Sequence, residues 1–154
     1  MLGSYIYGVA TYDGSTSDLW GGVSDSLLPL YTTFIFLAAI GYFLFTYYVF
    51  FHISLGNNRV RPFIIIYSLI LFPSALWMPL TVNMLENPSD ILLLLIRVVL
   101  AVVGISSIAL LVAVLKNRNK GSQLAFTLSI LGSILFIIQT LLFDAILWSI
   151  NFTV

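Results

Sequence analysis

Four long apolar stretches, separated by short polar segments, dominate the chain. They lie at residues 27–53, 62–83, 90–115 and 123–150. Each is long enough to supply the roughly 20 residues that a helix needs to cross a bilayer core. Backbone amides find no water in hydrocarbon, and the alternating pattern of a membrane β-barrel is absent from these stretches. The pattern therefore predicts an all-α integral membrane protein, a four-helix bundle of transmembrane helices whose sequential neighbours are antiparallel.

The polar positions outside the stretches leave little room for other structure. A segment rich in Gly, Ser, Thr and Tyr covers residues 1–26, and only short connections separate the four stretches. We therefore divide the chain into an outward-facing N-terminal segment, 1–26, and a four-helix transmembrane domain, 27–154. No soluble domain is expected.

Composition narrows the classes of function. The 154 residues are 60% hydrophobic and 8% charged, with no cysteine, whereas a soluble domain is about a quarter charged. Six cations balance six anions, so no basic field is available to bind nucleic acid. The lack of cysteine excludes disulfides, thiolate catalysis and iron–sulfur clusters. We expect membrane lipids as partners, no nucleic acid and no cofactor.

The distribution of charge predicts the direction of the helices. Five of the six cations lie in the two connections that an even number of helices places on one side: Arg59, Arg61, Lys116, Arg118 and Lys120. Short cytoplasmic loops of membrane proteins carry such an excess of Lys and Arg. The sequence therefore predicts a multi-pass membrane protein with both termini on the outer side, in a membrane that the sequence does not specify.

Two charges, Arg97 and Asp144, lie inside the apolar stretches. Each costs about 2.5–3.5 kcal/mol at the centre of a membrane helix, so neither is expected to face lipid. Arg97 lies seven residues into the third stretch and Asp144 six residues before the end of the fourth, which gives them matched depths in antiparallel neighbours. We predict a salt bridge or a water-linked pair. The pair either fixes the helix register or forms a ligand or ion site, and both interpretations stay open.

The second stretch places Trp77 between two prolines. Pro73 and Pro79 each remove a helical hydrogen bond, so a bend between them is expected, and it serves either packing or a pocket. Trp77 lies ten residues before Asn87, in the turn between the second and third stretches, and Arg97 lies ten residues after it. The two side chains are therefore expected at the same depth, where an indole can stack on a guanidinium. We predict that Trp77 packs toward Arg97.

Small and hydroxylated residues recur at helical spacing on the fourth stretch. They are Ala125, Ser129, Ser133 and Thr140, in line with Asp144. The third stretch carries a similar face, formed by Arg97, Ala101 and Gly104. Such faces let membrane helices approach closely, so we expect these two to dock together. Gln139 and Asn83 complete the polar residues that we assign, with Trp77, Arg97 and Asp144, to a candidate ligand site.

Catalytic and metal chemistry find no support in the pattern. His52 is the only histidine and lies at the opposite end of the bundle from Asp144, so no Ser–His–Asp set is expected, and no catalytic or metal-binding residue is assigned. Two functions remain. The favoured one is a non-catalytic subunit or scaffold of a membrane complex, with other subunits or further copies of itself as partners. The alternative is a small transporter or binding protein for an anionic or amphipathic solute, with an outer-leaflet pocket at Trp77, Arg97 and Asp144.

Overall fold

The protein is a bundle of four long helices. The computed structural model describes residues 10, 12, 16–24, 26–53, 57–118 and 122–152, and no strand occurs in these ranges. After a short 3-10 helix, Thr16–Trp20, come α1 (Leu28–His52), α2 (Asn57–Glu86), α3 (Asp90–Lys116) and α4 (Gln123–Ile137). The last helix continues as a π-helix (Ile138–Trp148) and ends in the turn Ser149–Asn151. All four apolar runs are long enough to span a membrane, which confirms the predicted fold class.

The second helix begins before its apolar stretch does. That stretch starts at Pro62, but α2 already begins at Asn57. Proline lacks only its own amide hydrogen and crowds the carbonyl four residues earlier, here that of Asn58. That carbonyl is in the first turn of α2, close to the end of the bundle, where water can satisfy it. The helix therefore extends through the proline.

The core is continuous across all four helices at one end of the bundle. We call the end where α1 stops and α2 begins the basic end, and the opposite end the terminal end. Buried side chains from every helix meet at the basic end: Phe45, Tyr48, Phe63, Ile70, Leu110, Val114 and Phe126. A hydrogen bond of 2.9 Å between the hydroxyls of Thr46 and Tyr67 joins α1 to α2. The bundle is thus closed at this end.

The first and last helices approach each other closely at two glycines. A Cβ atom added to Gly41 would lie 2.3 Å from the carbonyl oxygen of Gly132, and one added to Gly132 would lie 2.7 Å from that of Gly41. Both distances are well inside van der Waals contact, and both obstacles are backbone atoms. Neither position therefore accepts a side chain unless α1 and α4 move apart.

The described part of the N-terminal segment packs on the end of the last helix. The indole Nε1 of Trp148 donates a hydrogen bond of 3.0 Å to the carbonyl of Leu19, and the ring of Phe152 stacks on Trp148 at 4.4 Å. Gly21 lies beside the Phe152 ring with a φ of +57°, a backbone conformation that residues other than glycine rarely adopt. The 3-10 helix thereby covers the terminal end of the bundle.

The surface of the bundle is apolar. Four phenylalanines are each 67–74% exposed: Phe36, Phe43, Phe51 and Phe72. A water-soluble monomer rarely exposes contiguous apolar area of this kind, whereas hydrocarbon solvates it without cost. Together with the four long apolar helices, this surface fits a polytopic membrane protein. The side of the membrane that each end faces stays a prediction.

Candidate functional site

The carboxylate of Asp144 lies in the π-helix. A π-helix pairs each residue with the one five positions away, so side chains five apart lie on one face, and such segments are frequent at functional sites. Gln139 and Asp144 are five apart, and Gln139 Nε2 donates a hydrogen bond of 2.8 Å to Asp144 Oδ1. The π-helix therefore brings together two of the residues that the sequence assigned to a candidate ligand site.

The first helix supplies a second donor to the same oxygen. The hydroxyl of Tyr31 donates to Asp144 Oδ1 at 2.7 Å, and Tyr31 is itself buried. Its ring lies edge-on to Trp20 at 5.0 Å and to Phe143 at 5.1 Å, so aromatic side chains surround this hydrogen bond. We call Tyr31, Gln139 and Asp144 the carboxylate site. It connects the start of α1 to the π-helix.

Arg97 forms no salt bridge with Asp144 in the described structure, so the direct form of the predicted pair is wrong, and the water-linked form stays a prediction. Its Nη2 donates a hydrogen bond of 2.9 Å to the carbonyl of Ser149, and its side chain is exposed. Helical side chains lean toward the amino end of their helix. On α3 that direction leads to the terminal end, so the guanidinium reaches Ser149, beyond Asp144 on the last helix. The expectation that Arg97 does not face lipid stays a prediction.

Trp77 packs against a second indole. It is half-buried, and its ring lies edge-on to Trp148 at 6.2 Å, whereas the described side chains give the Arg97 guanidinium no ring contact. Stacking on the guanidinium is therefore absent, although Trp77 packs against the buried cluster that contains Ile96, the neighbour of Arg97 on α3. α2 runs as one helix through Pro73 and Pro79, and the bend between them stays a prediction.

The predicted contact between the third and fourth helices is present. Ser129, Ser133 and Thr140 are all buried, and the Thr140 hydroxyl donates to that of Ser107 at 3.1 Å. A Cβ atom added to Gly104 would lie 2.9 Å from the Leu141 side chain. The small residues thus serve close packing along this face.

Asn83 lies apart from the carboxylate site. It is exposed, and its Oδ1 accepts a hydrogen bond of 3.3 Å from Asn87 Nδ2. Its backbone carbonyl accepts a second hydrogen bond, of 2.8 Å, from the amide of Asn87. Both contacts belong to the end of α2, so the structure assigns Asn83 to a helix terminus.

Sequence reasoning missed Tyr31 and the two close-packed glycines. Tyr31 lies three residues into α1 and resembles an ordinary interfacial aromatic, although its depth relative to Asp144 was a usable signal. A glycine inside a helix is destabilising by roughly 0.5–1 kcal/mol relative to alanine. The presence of Gly41 and Gly132 within apolar stretches therefore indicated a close packing contact, which the sequence alone did not identify.

The double variant Arg97→Leu/Asp144→Leu is expected to show additive destabilisation. Asp144→Leu strands the donors of Tyr31 and Gln139, at about 1–3 kcal/mol each, whereas Arg97→Leu removes one hydrogen bond worth about 0.5–1.5 kcal/mol. The two side chains share no hydrogen-bond partner. The loss of unfolding free energy in the double variant should therefore equal the sum of the two single losses within about 0.5 kcal/mol. Unfolding free energies of the wild type and three variants in mixed micelles measure this. Rescue of one substitution by the other would restore the predicted pair.

Comparisons of the chain with protein-family models, with curated protein sequences and with solved structures find no significant match. Among the described residues, no three His, Cys, Asp or Glu side chains converge.

Proposed function

We propose that the protein is a non-catalytic subunit or scaffold of a larger membrane complex, and that Arg97 is the point at which α3 binds its neighbour. The observation that supports the proposal is an exposed guanidinium within an apolar helix. Arg97 lies seven residues after the start of α3, about 10 Å along the axis at 1.5 Å per residue. Within the described residues its guanidinium makes one hydrogen bond, to Ser149, and this bond uses one of five N–H donors.

The surroundings of Arg97 favour a protein partner within the membrane. Leu94 and Ile105 follow the same face of α3 and are 62% and 64% exposed. A charge in hydrocarbon is unfavourable unless it is paired. An apolar helix that carries an acidic side chain would cover the leucine and isoleucine and also accept hydrogen bonds from the guanidinium. We therefore infer that the occupant is a transmembrane helix with a carboxylate.

The acid is expected to come from a different chain. Apart from Asp90, the first residue of the third apolar stretch, the only acid in the apolar stretches is Asp144. Hydrogen bonds from Tyr31 and Gln139 hold its carboxylate between α1 and the π-helix of its own chain. Because these bonds hold Asp144 within its own chain, a second copy is not expected to bring this carboxylate to Arg97. This favours a hetero-oligomeric complex over self-association.

A photo-crosslinking residue at Leu94 tests the proposal in intact membranes. The same residue at Phe36 on α1, which is also exposed, serves as the control for nonspecific contact. We expect Leu94 to give one discrete protein adduct and Phe36 to give lipid adducts. The adduct should disappear in the Arg97→Gln background, and mass spectrometry should place the crosslink next to an Asp or Glu in a span of the partner.

Three other outcomes would overturn the proposal. Lipid adducts alone at Leu94 would mean that hydrocarbon or a headgroup covers Arg97. An adduct between two copies of this chain would indicate a homo-oligomer. Protection of Leu94 by an added amphipathic anion would favour the transporter or solute-binding function, for which the exposed guanidinium is also suited.

A further inference from the structure

The carboxylate site contains an acid but no basic side chain among the described residues. Both of its donors, the Tyr31 hydroxyl and the Gln139 amide, are neutral groups, and Arg97 is bonded to Ser149 instead. Hydrogen bonds from neutral donors stabilise an ionised carboxylate but leave its charge in place. In a span, a charge is expected to be paired, so the site lacks a counter-charge among the described residues.

A second observation places an unsatisfied acceptor at the same site. Gln139 is 5% exposed, and its Oε1 is buried without a hydrogen-bond partner in the described structure. The amide nitrogen of the same group is bonded to Asp144, so this oxygen is close to the carboxylate. Leaving a buried acceptor unpaired is unfavourable, and flipping the amide would turn Oε1 toward a carboxylate oxygen, which repels it.

The second oxygen of the Asp144 carboxylate, Oδ2, accepts no hydrogen bond in the described structure. Both hydrogen bonds to Asp144 end on Oδ1, and the described side chains and backbone offer no donor to Oδ2. The site therefore combines a carboxylate oxygen, an amide oxygen and the oxygen of a tyrosine hydroxyl whose hydrogen points at Asp144. Oxygen atoms of these kinds are the ligands that hard cations prefer.

We propose that Asp144, Gln139 and Tyr31 form a binding site for a small monovalent cation such as Na⁺. A single carboxylate neutralises a single positive charge, so the loaded site would be neutral. Calcium takes six to eight oxygen ligands, including several carboxylates in its usual sites, and no second acid among the described residues joins Asp144. The cation would hold the start of α1 to the π-helix.

The test compares the unfolding of the full-length protein in Na⁺ and in choline at equal ionic strength and constant pH. A ligand that binds only the folded state raises the folding equilibrium constant, and at concentrations well above Kd the constant rises in proportion to the ligand concentration. Above Kd we expect the folding equilibrium constant to rise about tenfold for each tenfold rise in Na⁺ concentration, and we expect no such rise in choline. The variant Asp144→Asn, which keeps an acceptor oxygen for Tyr31, should lose this dependence, and the control Glu86→Gln should retain it.

Measuring Na⁺ binding directly separates the loss of the ion site from a loss of stability in a variant. Equilibrium dialysis of the wild type with radioactive Na⁺ should give one ion per chain, and Gln139→Leu should weaken the binding at least tenfold. Equal stability in Na⁺ and choline, or an unchanged Na⁺ effect in Asp144→Asn, would overturn the proposal. So would stability that responds to pH but not to Na⁺, because a proton would then be the neutralising ion.

Discussion

Replacing Trp148 with alanine is expected to lower the unfolding free energy by about 3–5 kcal/mol, the usual range for a large buried aromatic. Trp148 is 1% exposed and contacts Phe152 and Trp77 through its ring. Its Nε1 also holds Leu19, so the 3-10 helix should detach from the terminal end. Chemical unfolding in micelles measures the first effect, and faster proteolysis between residues 16 and 24 reports the second.

Trp148→Phe is the matched control because it retains an aromatic ring and removes the indole donor. It loses one hydrogen bond, worth about 0.5–1.5 kcal/mol, together with part of the ring. Its N-terminal segment should become more accessible to protease while the bundle remains folded. Equal unfolding free energies for the phenylalanine and alanine variants would contradict the prediction, because the stacking on Phe152 and Trp77 would then contribute nothing to stability.

Replacing Gly41 with valine is expected to separate α1 from α4. The first atom of any side chain would already lie 2.3 Å from the Gly132 carbonyl oxygen, and valine adds two methyl groups to it. Overpacking of a well-packed contact costs about 1–3 kcal/mol and sometimes more, and here the obstacle is backbone, which cannot rotate away. We expect a loss at the upper limit of this range or above it, measured by unfolding of the purified protein.

Ala39→Val provides the control on the same helix. Ala39 is exposed, so the added methyl groups meet lipid or detergent and the unfolding free energy should change by less than about 0.5 kcal/mol, as for most surface substitutions. Cysteines placed across α1 and α4 offer an independent readout, because their crosslinking should fall in Gly41→Val alone. Unchanged crosslinking in that variant would show that the helices tolerate the side chain.

The helices were predictable because a single physical constraint sets their length. Hydrocarbon thickness requires about 20 apolar residues in each span, and no packing detail can shorten that requirement. Pro62 shows where the rule lost accuracy. A proline near a helix end gives the same local signal whether the helix starts at it or a few residues before it, and only α2 itself shows the start at Asn57.

The site was predictable in its members but not in its pairing. Arg97 and Asp144 were singled out because charges are rare and costly in a span. Their pairing was inferred from matched depths in antiparallel neighbours, and depth alone does not tell that the Arg97 side chain extends toward the terminal end and reaches Ser149. Tyr31 was missed because a tyrosine near the end of a span is usually an anchor at the membrane surface.

The close contact of α1 with α4 also sets the order in which the protein can be completed during synthesis. Gly41 and Gly132 are 91 positions apart, which at 5–20 residues per second corresponds to roughly 5–18 s of translation. During that interval α1 must remain in the bilayer without its principal neighbour. Its sequence suits this wait, because Leu28–His52 contains no Asp, Glu, Lys or Arg. When Asp144 finally enters the membrane, the hydroxyl of Tyr31 is already present to receive it.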